Sequence, residues 1–286
     1  MPLSTVGPTV TGVLELEHEF RIVDAHLTVE PDETRRPRDS GHPEQIEREM
    51  HQAGLVGGLA VPATREDPSD PADAYVRANN AVARVAVDRP FRAAARIAGS
   101  RRPGTDLPSK VRNLTRRGSG AATTPEDVEE YAYEDRFVAF ALDPVADGFP
   151  EAAVLEALAA VDLPLLTYGG EGFGPSTIEE TLLDYDFPLV VAHCGGYPLK
   201  ESLANETIDL LDRYEDCYVE TSFVRFRDPL ERAIMEHPDR VLFGSGAPTS
   251  HPSVAVMEIL TLDVPADAME RVFSKNVERV LPSLAP

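Results

Sequence analysis

Tryptophan is absent from the 286 residues, lysine occurs only at Lys110, Lys200 and Lys275, and cysteine only at Cys194 and Cys217. Both cysteines lie in or beside apolar runs, which excludes a disulfide framework and the paired spacing of a zinc ribbon. No apolar stretch approaches the ~18 residues of a membrane-spanning helix. Met1 to Val10 has neither the basic start nor the apolar core of a signal peptide. A cytoplasmic protein with no membrane partner is expected. Positive charge is scarce as well: 27 lysines and arginines stand against 49 aspartates and glutamates, a formal net charge of -22. So large a negative field excludes general binding to nucleic acid or anionic membranes. It suits concentrated salt, where the Debye length falls to about 3 Å and carboxylate repulsion is screened. The composition resembles that of halophilic proteins with an acidic surface, whose melting temperature should rise with KCl; the alternative is an ordinary acidic protein, whose melting would be indifferent to salt.

What is present is a rhythm. With 42% hydrophobic residues the chain can bury a large core. The run Phe187-Pro-Leu-Val-Val-Ala-His193-Cys-Gly-Gly196 reads as a strand buried on both faces that delivers His193 to its C-terminal tip. Similar runs predict strands at 21–27, 55–61, 92–98, 136–142, 164–168, 188–193, 217–222 and 240–244, and helical spacing fills nearly every gap. Eight such units predict an α/β protein built as a (β/α)8 TIM barrel, with chemistry at the C-terminal ends of the strands. A doubly wound sheet would want a glycine-rich phosphate loop after strand 1, and Asp24 to Thr28 holds no glycine.

Residues 1–20 are expected to form a tail with a short edge strand over Val13 to Phe20, and 21–286 the barrel. A basic insertion at about 100–125 breaks the rhythm. There Arg101, Arg102, Lys110, Arg112, Arg116 and Arg117 gather against Asp106 alone. Such a loop serves either as an anion-attracting cover or as a solvated insertion.

An ordered set of motifs resembles the amidohydrolase-related family, the metal-dependent hydrolases and decarboxylases of the amidohydrolase superfamily. The set comprises Val23-Asp24-Ala25-His26, Pro43 to Gly54, Val191-Ala-His193-Cys-Gly-Gly196, Arg240 to Ser245 with Ala247-Pro248, and Asn276. The resemblance implies a barrel with a divalent metal held by a His-x-His pair after strand 1, a histidine ending strand 5 and an aspartate after strand 8. It also implies a strand 6 histidine that polarises substrate or moves protons. His26 matches the first ligand and His193 the strand 6 position. Thr28, Tyr168 and Gly246 stand where the second histidine, the strand 5 histidine and the aspartate would be.

The expectation is therefore no metal at the family's positions, with Zn²⁺ or Mn²⁺ only if other residues, such as His26, His193 and Glu220, rebuild a site. His193, His26 and Asp24 are the catalytic candidates. Tyr168, Glu171, Glu220, Ser222 and Ser245 are the substrate-binding candidates, and strand alternation puts Glu220 and Ser222 on one side. The function expected is that of a hydrolase-like barrel acting on a small carbonyl or carboxylate compound. The alternative is a non-catalytic barrel, a pseudoenzyme that binds a small anion or has a structural role. Self-association is left open.

Overall fold

The computed structural model describes residues 16–30, 40–63, 74–101, 122–133 and 135–286. The strands are β1 (Ile22–Val29), β2 (Leu55–Pro62), β3 (Phe91–Arg96), β4 (Phe137–Leu142), β5 (Leu165–Gly170), β6 (Leu189–Tyr197), β7 (Cys217–Glu220) and β8 (Val241–Leu242). They pair in sequence order in one eight-stranded sheet, each parallel to the last. The ring closes through backbone bonds between β1 and the segment beginning at β8: Ala25 N–H to Phe243 O (2.8 Å) and Thr28 N–H to Ala247 O (2.7 Å). All eight strands lie where apolar runs predict them.

Helices connect the strands: α1 (Pro43–Gln52), α2 (Ala74–Ala86), α3 (Pro125–Tyr133), α4 (Ala152–Ala160), α5 (Pro175–Thr181), α6 (Glu201–Leu211), α7 (Arg227–Glu236) and α8 (Pro252–Leu260). Two of them start on the same dipeptide. His42 and His251 accept the backbone N–H of Glu44 and Ser253, and Pro43 and Pro252 supply the preset φ of the first turn. Gly54 ends α1 at φ +73, a conformation that only glycine adopts freely. None of the described helices is long and apolar enough to cross a membrane.

Two expectations change. Residues 16–20 form no strand, so the expected edge strand is not found in the described part of Val13 to Phe20. The basic insertion falls mostly on residues 102–121, outside the described residues, and its last part leads into α3, a helix not foreseen.

The barrel interior is filled by mostly small inward residues. Ala25, Ala94, Ala139, Ala141 and Ala192 share it with Val23, Leu59, Leu166, Val190 and Leu242. The larger apolar residues face outward, where helices cover them. The N-terminal end is plugged by the last helical segments, α9 (Ala266–Glu270), a π-helical turn (Arg271–Lys275) and α10 (Asn276–Val280). Val277, Val280, Leu281 and Leu284 join the interior cluster. Asn276 anchors the plug by donating to the carbonyls of Pro238 and Val241, each at 2.8 Å. With that end closed, the barrel opens at its C-terminal mouth.

Candidate active site

At the mouth, four strands bring their tips together around one carboxylate. Glu220, the last residue of β7, is fully buried. Its Oε1 accepts the backbone N–H of His193 (2.8 Å) and the Ser222 hydroxyl (2.6 Å), and its Oε2 accepts the Ser222 N–H (2.7 Å). His26 Nδ1 lies 3.2 Å from the same Oε1, and His26 Nε2 lies 2.8 Å from the Tyr168 hydroxyl. The inward alternation expected of Glu220 and Ser222 is present. A register shift in β1 between Asp24 and Leu27 accommodates His26 at this point, the kind of bulge that re-aims side chains beside sites. Gly244 is required beneath the carboxylate, since a Cβ there would stand 1.8 Å from Glu220 Oε2. Gly244→Ala should cost about 1–3 kcal/mol through forced displacement, read as a lower denaturant midpoint with an unchanged slope.

The backbone of β6 bends sharply to present its histidine. His193, Cys194 and Gly195 take φ of 60°, 45° and 68° in succession. Two non-glycine residues in the left-handed region cost roughly 1 kcal/mol or more each. The bond from His193 N–H to Glu220 is one of the contacts that hold them there.

Hydrogen bonding assigns the protons. His193 Nδ1 faces the Ser222 carbonyl (3.3 Å) and the Ser222 hydroxyl (2.6 Å), and that hydroxyl donates to Glu220. A carbonyl only accepts, so Nδ1 carries the hydrogen and Nε2 keeps its lone pair. Burial, reinforced by the charge on His26, lowers the His193 pKa to about 4. His26 is the opposite case. Burial opposes its charge, but Tyr168 and the Glu220 carboxylate prevail and raise it to about 10. Burial likewise works against the Glu220 charge, yet the His26 hydrogen bond and the surrounding donors bring it down to about 2. At neutral pH the floor of the mouth holds a neutral His193 and a His26–Glu220 ion pair.

Asp24 sits one layer lower. Burial pushes its carboxyl up to about 7, against backbone bonds from His26 (2.9 Å) and Ser245 (3.0 Å) to Oδ1. Its Oδ2 has no partner among the described residues. These bonds tie β1 to the segment after β8, and Asp24 does not reach the cavity wall.

Above this floor opens a cavity of about 480 Å³. His26, His193, Tyr168 and Glu171 line it, whereas Glu220, Ser222, Ser245 and Asp24 lie beneath it. Thr28 and Gly246 also reach the wall. Asp143, Phe173, Tyr197 and Phe223 complete the walls without having been singled out from the sequence. Asp143 was within reach of the strand-tip rule, being the first polar residue after β4. Phe173 and Phe223 follow strand ends in irregular segments, and Tyr197 closes β6 beyond the sharp bend at His193 to Gly195, so no simple period marks them.

The family resemblance raises the question of a metal. His26, His193 and Glu220 place ligand-type atoms within 4.8 Å of one another. Imidazole and carboxylate are the donor types that Zn²⁺ and Mn²⁺ use, but metal binding needs their lone pairs. Here Nδ1 of both histidines carries a proton, and the Ser222 hydroxyl lies 2.6 Å from both His193 Nδ1 and Glu220 Oε1. The three groups as arranged make a hydrogen-bond network and not a coordination sphere. The aspartate position of the family is also built over. A Cβ on Gly246, at φ +66, would meet the Phe223 ring at 2.6 Å.

Comparison with solved structures gives the same architecture at low identity. An uncharacterized TIM-barrel protein from Bordetella bronchiseptica superposes with a TM-score of 0.62 at 19% identity, covering 93% of this chain and 100% of the other. The 5-carboxyvanillate decarboxylase of Sphingomonas paucimobilis gives 0.63 at 15% identity, covering 92% and 99%. A dihydroxybenzoic acid decarboxylase from Polaromonas, solved with bound manganese and the inhibitor 2-nitroresorcinol, gives 0.62 at 17% identity, covering 92% and 97%. The expectation of no metal is thus in doubt at the level of the fold's relatives. No curated protein matches the sequence. The amidohydrolase family model matches residues 112–282, more than half of the chain, and therefore spans the tips of β4 to β8 that carry Tyr168, His193 and Glu220. On that match, the chain belongs to the amidohydrolase family.

Proposed function

We propose that the chain is a hydrolase of small carbonyl compounds that activates water at His193 and works without a resident metal. The observation that carries this reading is the fixed tautomer of His193. Its Nδ1–H is committed to Ser222, so the nitrogen left for the cavity is a lone-pair-bearing Nε2. Two histidines whose surroundings push their protonation in opposite directions make an acid–base pair. His193 Nε2 takes a proton from water, and the hydroxide attacks the carbonyl carbon. Negative charge that develops on the oxygen is met by the Tyr168 hydroxyl, itself polarised by the His26 imidazolium 2.8 Å behind it. The proton on His193 then passes to the leaving group. While it resides there, Glu220 Oε1, 3.5 Å from Nδ1, stabilises the charge.

The test is turnover of a panel of aryl esters and anilides before and after exhaustive chelation. Turnover that survives chelation supports the reading. Turnover lost with chelator and restored by Mn²⁺ would mean that His26, His193 and Glu220 rearrange around an ion, and the metal-free reading would fall. No turnover of any member would favour the non-catalytic alternative.

A further inference from the structure

The walls of the cavity say what it accepts. Six rings, of His26, His193, Tyr168, Tyr197, Phe173 and Phe223, line it. His193 is in contact with four of them: His26 at 5.5 Å between centroids, Tyr168 at 5.4 Å, Tyr197 at 5.3 Å and Phe223 at 5.1 Å. Such walls favour a flat aromatic or heteroaromatic guest.

The polar groups are one-sided. Among the described residues no lysine or arginine lines the cavity, while Asp143 and Glu171 do. Lys200 reaches Glu171 at 2.9 Å, and Arg96 lies under Asp143, bonded to Asp147 at 2.6 Å and to the Pro62 carbonyl at 2.8 Å. The His26 imidazolium directs one N–H to Glu220 and the other to Tyr168. Among the described residues, a carboxylate carried into this space meets two wall carboxylates and only cations already paired with acids, Lys200 with Glu171, Arg96 with Asp143 and Asp147, and His26 with Glu220, and an unpaired charge away from water is costly. What the floor does offer is one donor beside one acceptor, the Tyr168 O–H and the His193 Nε2.

We infer that the site takes an uncharged aromatic ring whose edge presents a hydrogen-bond acceptor to Tyr168 and a donor to His193, and that it excludes arenecarboxylates. This rests on the hydrolase reading for its donor and acceptor. It departs from the acids that give the structurally similar decarboxylases their names. An amide attached to the ring, or a lactam within it, has the required edge; a carboxylate has two acceptors and a charge.

Benzamide and benzoate have nearly the same shape and differ in these properties, so they serve as probes. Calorimetric titration of the full chain in molar KCl, where the long-range field of the acidic surface is screened, should show benzamide binding at least tenfold more tightly than benzoate. Tyr168→Phe should weaken benzamide by about tenfold and leave benzoate unchanged. Asp143→Asn keeps an acceptor for the N–H groups of Val145 and Ala146 and should narrow the gap from the benzoate side. Benzoate bound within tenfold of benzamide, or no saturable benzamide binding at millimolar concentration, would overturn the inference. Equilibrium binding reports the pocket alone. Loss of the hydrolase reading in the chelation test would leave this order of affinities to stand or fall separately.

Discussion

His193→Asn should lower the rate of any reaction at this site by about 10²–10⁴-fold, the usual contribution of a positioned general base, while leaving the protein folded. Asparagine is chosen because it is among the few non-glycine residues that tolerate the left-handed region, where His193 sits at φ 60. It removes the basic nitrogen without asking the β6 backbone to change. The rate–pH profile of the unaltered chain carries the sharper information. His193 accepts a proton only when neutral, so the rate should fall as pH drops through about 4. Support of Tyr168 by His26 requires the imidazolium, so a second loss is expected as pH rises through about 10. Between those limits the profile should be flat. A metal-bound water would instead show a limb near pH 7, where its proton is lost. A profile that climbs through neutrality would therefore defeat the metal-free reading even before any metal analysis.

Glu220→Gln should be the most damaging single change to stability, about 3–5 kcal/mol, because it strands a buried cation at His26. Glutamine keeps the shape but turns an NH2 group toward one of the two backbone N–H donors that now point at different carboxylate oxygens. The pH dependence gives an independent check. The Glu220 pKa is held down at about 2 against an ordinary 4.5, so its stabilisation is complete above 4.5 and is lost as pH falls toward 2. That shift corresponds to ~3 kcal/mol. His26 is raised from 6.5 to about 10, so its contribution is complete below 6.5 and is lost as pH rises through 10. Below 6.5 the unfolded chain also gains a proton at His193 that the folded chain refuses until about 4, which erodes the acid side further. Asp24, raised from 3.8 to about 7, acts the other way, costing stability as pH rises between those values, so the two offset each other and maximum stability should be a plateau from pH 4.5 to 6.5. In Glu220→Gln the acid limb between 4.5 and 2 should shrink, as measured by urea midpoints across pH. An acid limb equal to that of the parent would show that Glu220 does not carry the charge assigned to it.

Much of this arrangement was legible before any coordinates. Strands buried on both faces read as short apolar runs bounded by turn residues, as at Leu189 to Ala192, and all eight strands lie on such runs. Their polar tips then picked out His26, Tyr168, His193 and Glu220, and the period of two put Glu220 and Ser222 on one side. What escaped has physical reasons. The bulge in β1 arises from ring closure against Phe243 and Ala247, a non-local demand with no local signature. The direction of the His193 Nδ1 proton depends on a carbonyl 29 residues away, and that of the His26 Nδ1 proton on a carboxylate 194 residues away. Phe223 filling the space over Gly246 is a packing fact, and it explains why substituting Gly246 alone cannot recreate the family's carboxylate. The missed helix α3 follows the basic insertion, where the apolar periodicity had been broken.

The distance along the chain between His26 and its counter-ion also sets an order of events during synthesis. They are 194 residues apart. At translation speeds of about 5–20 residues per second, β1 waits on the order of tens of seconds for β7. Until then the His26 side chain has no carboxylate to pair with at its final depth, and the N-terminal strands cannot settle around it. The floor of the mouth is therefore completed late, by the C-terminal third of the polypeptide. A chain truncated after α6 should retain an aggregation-prone, incompletely assembled N-terminal portion, and co-expression of the missing C-terminal piece should rescue its solubility.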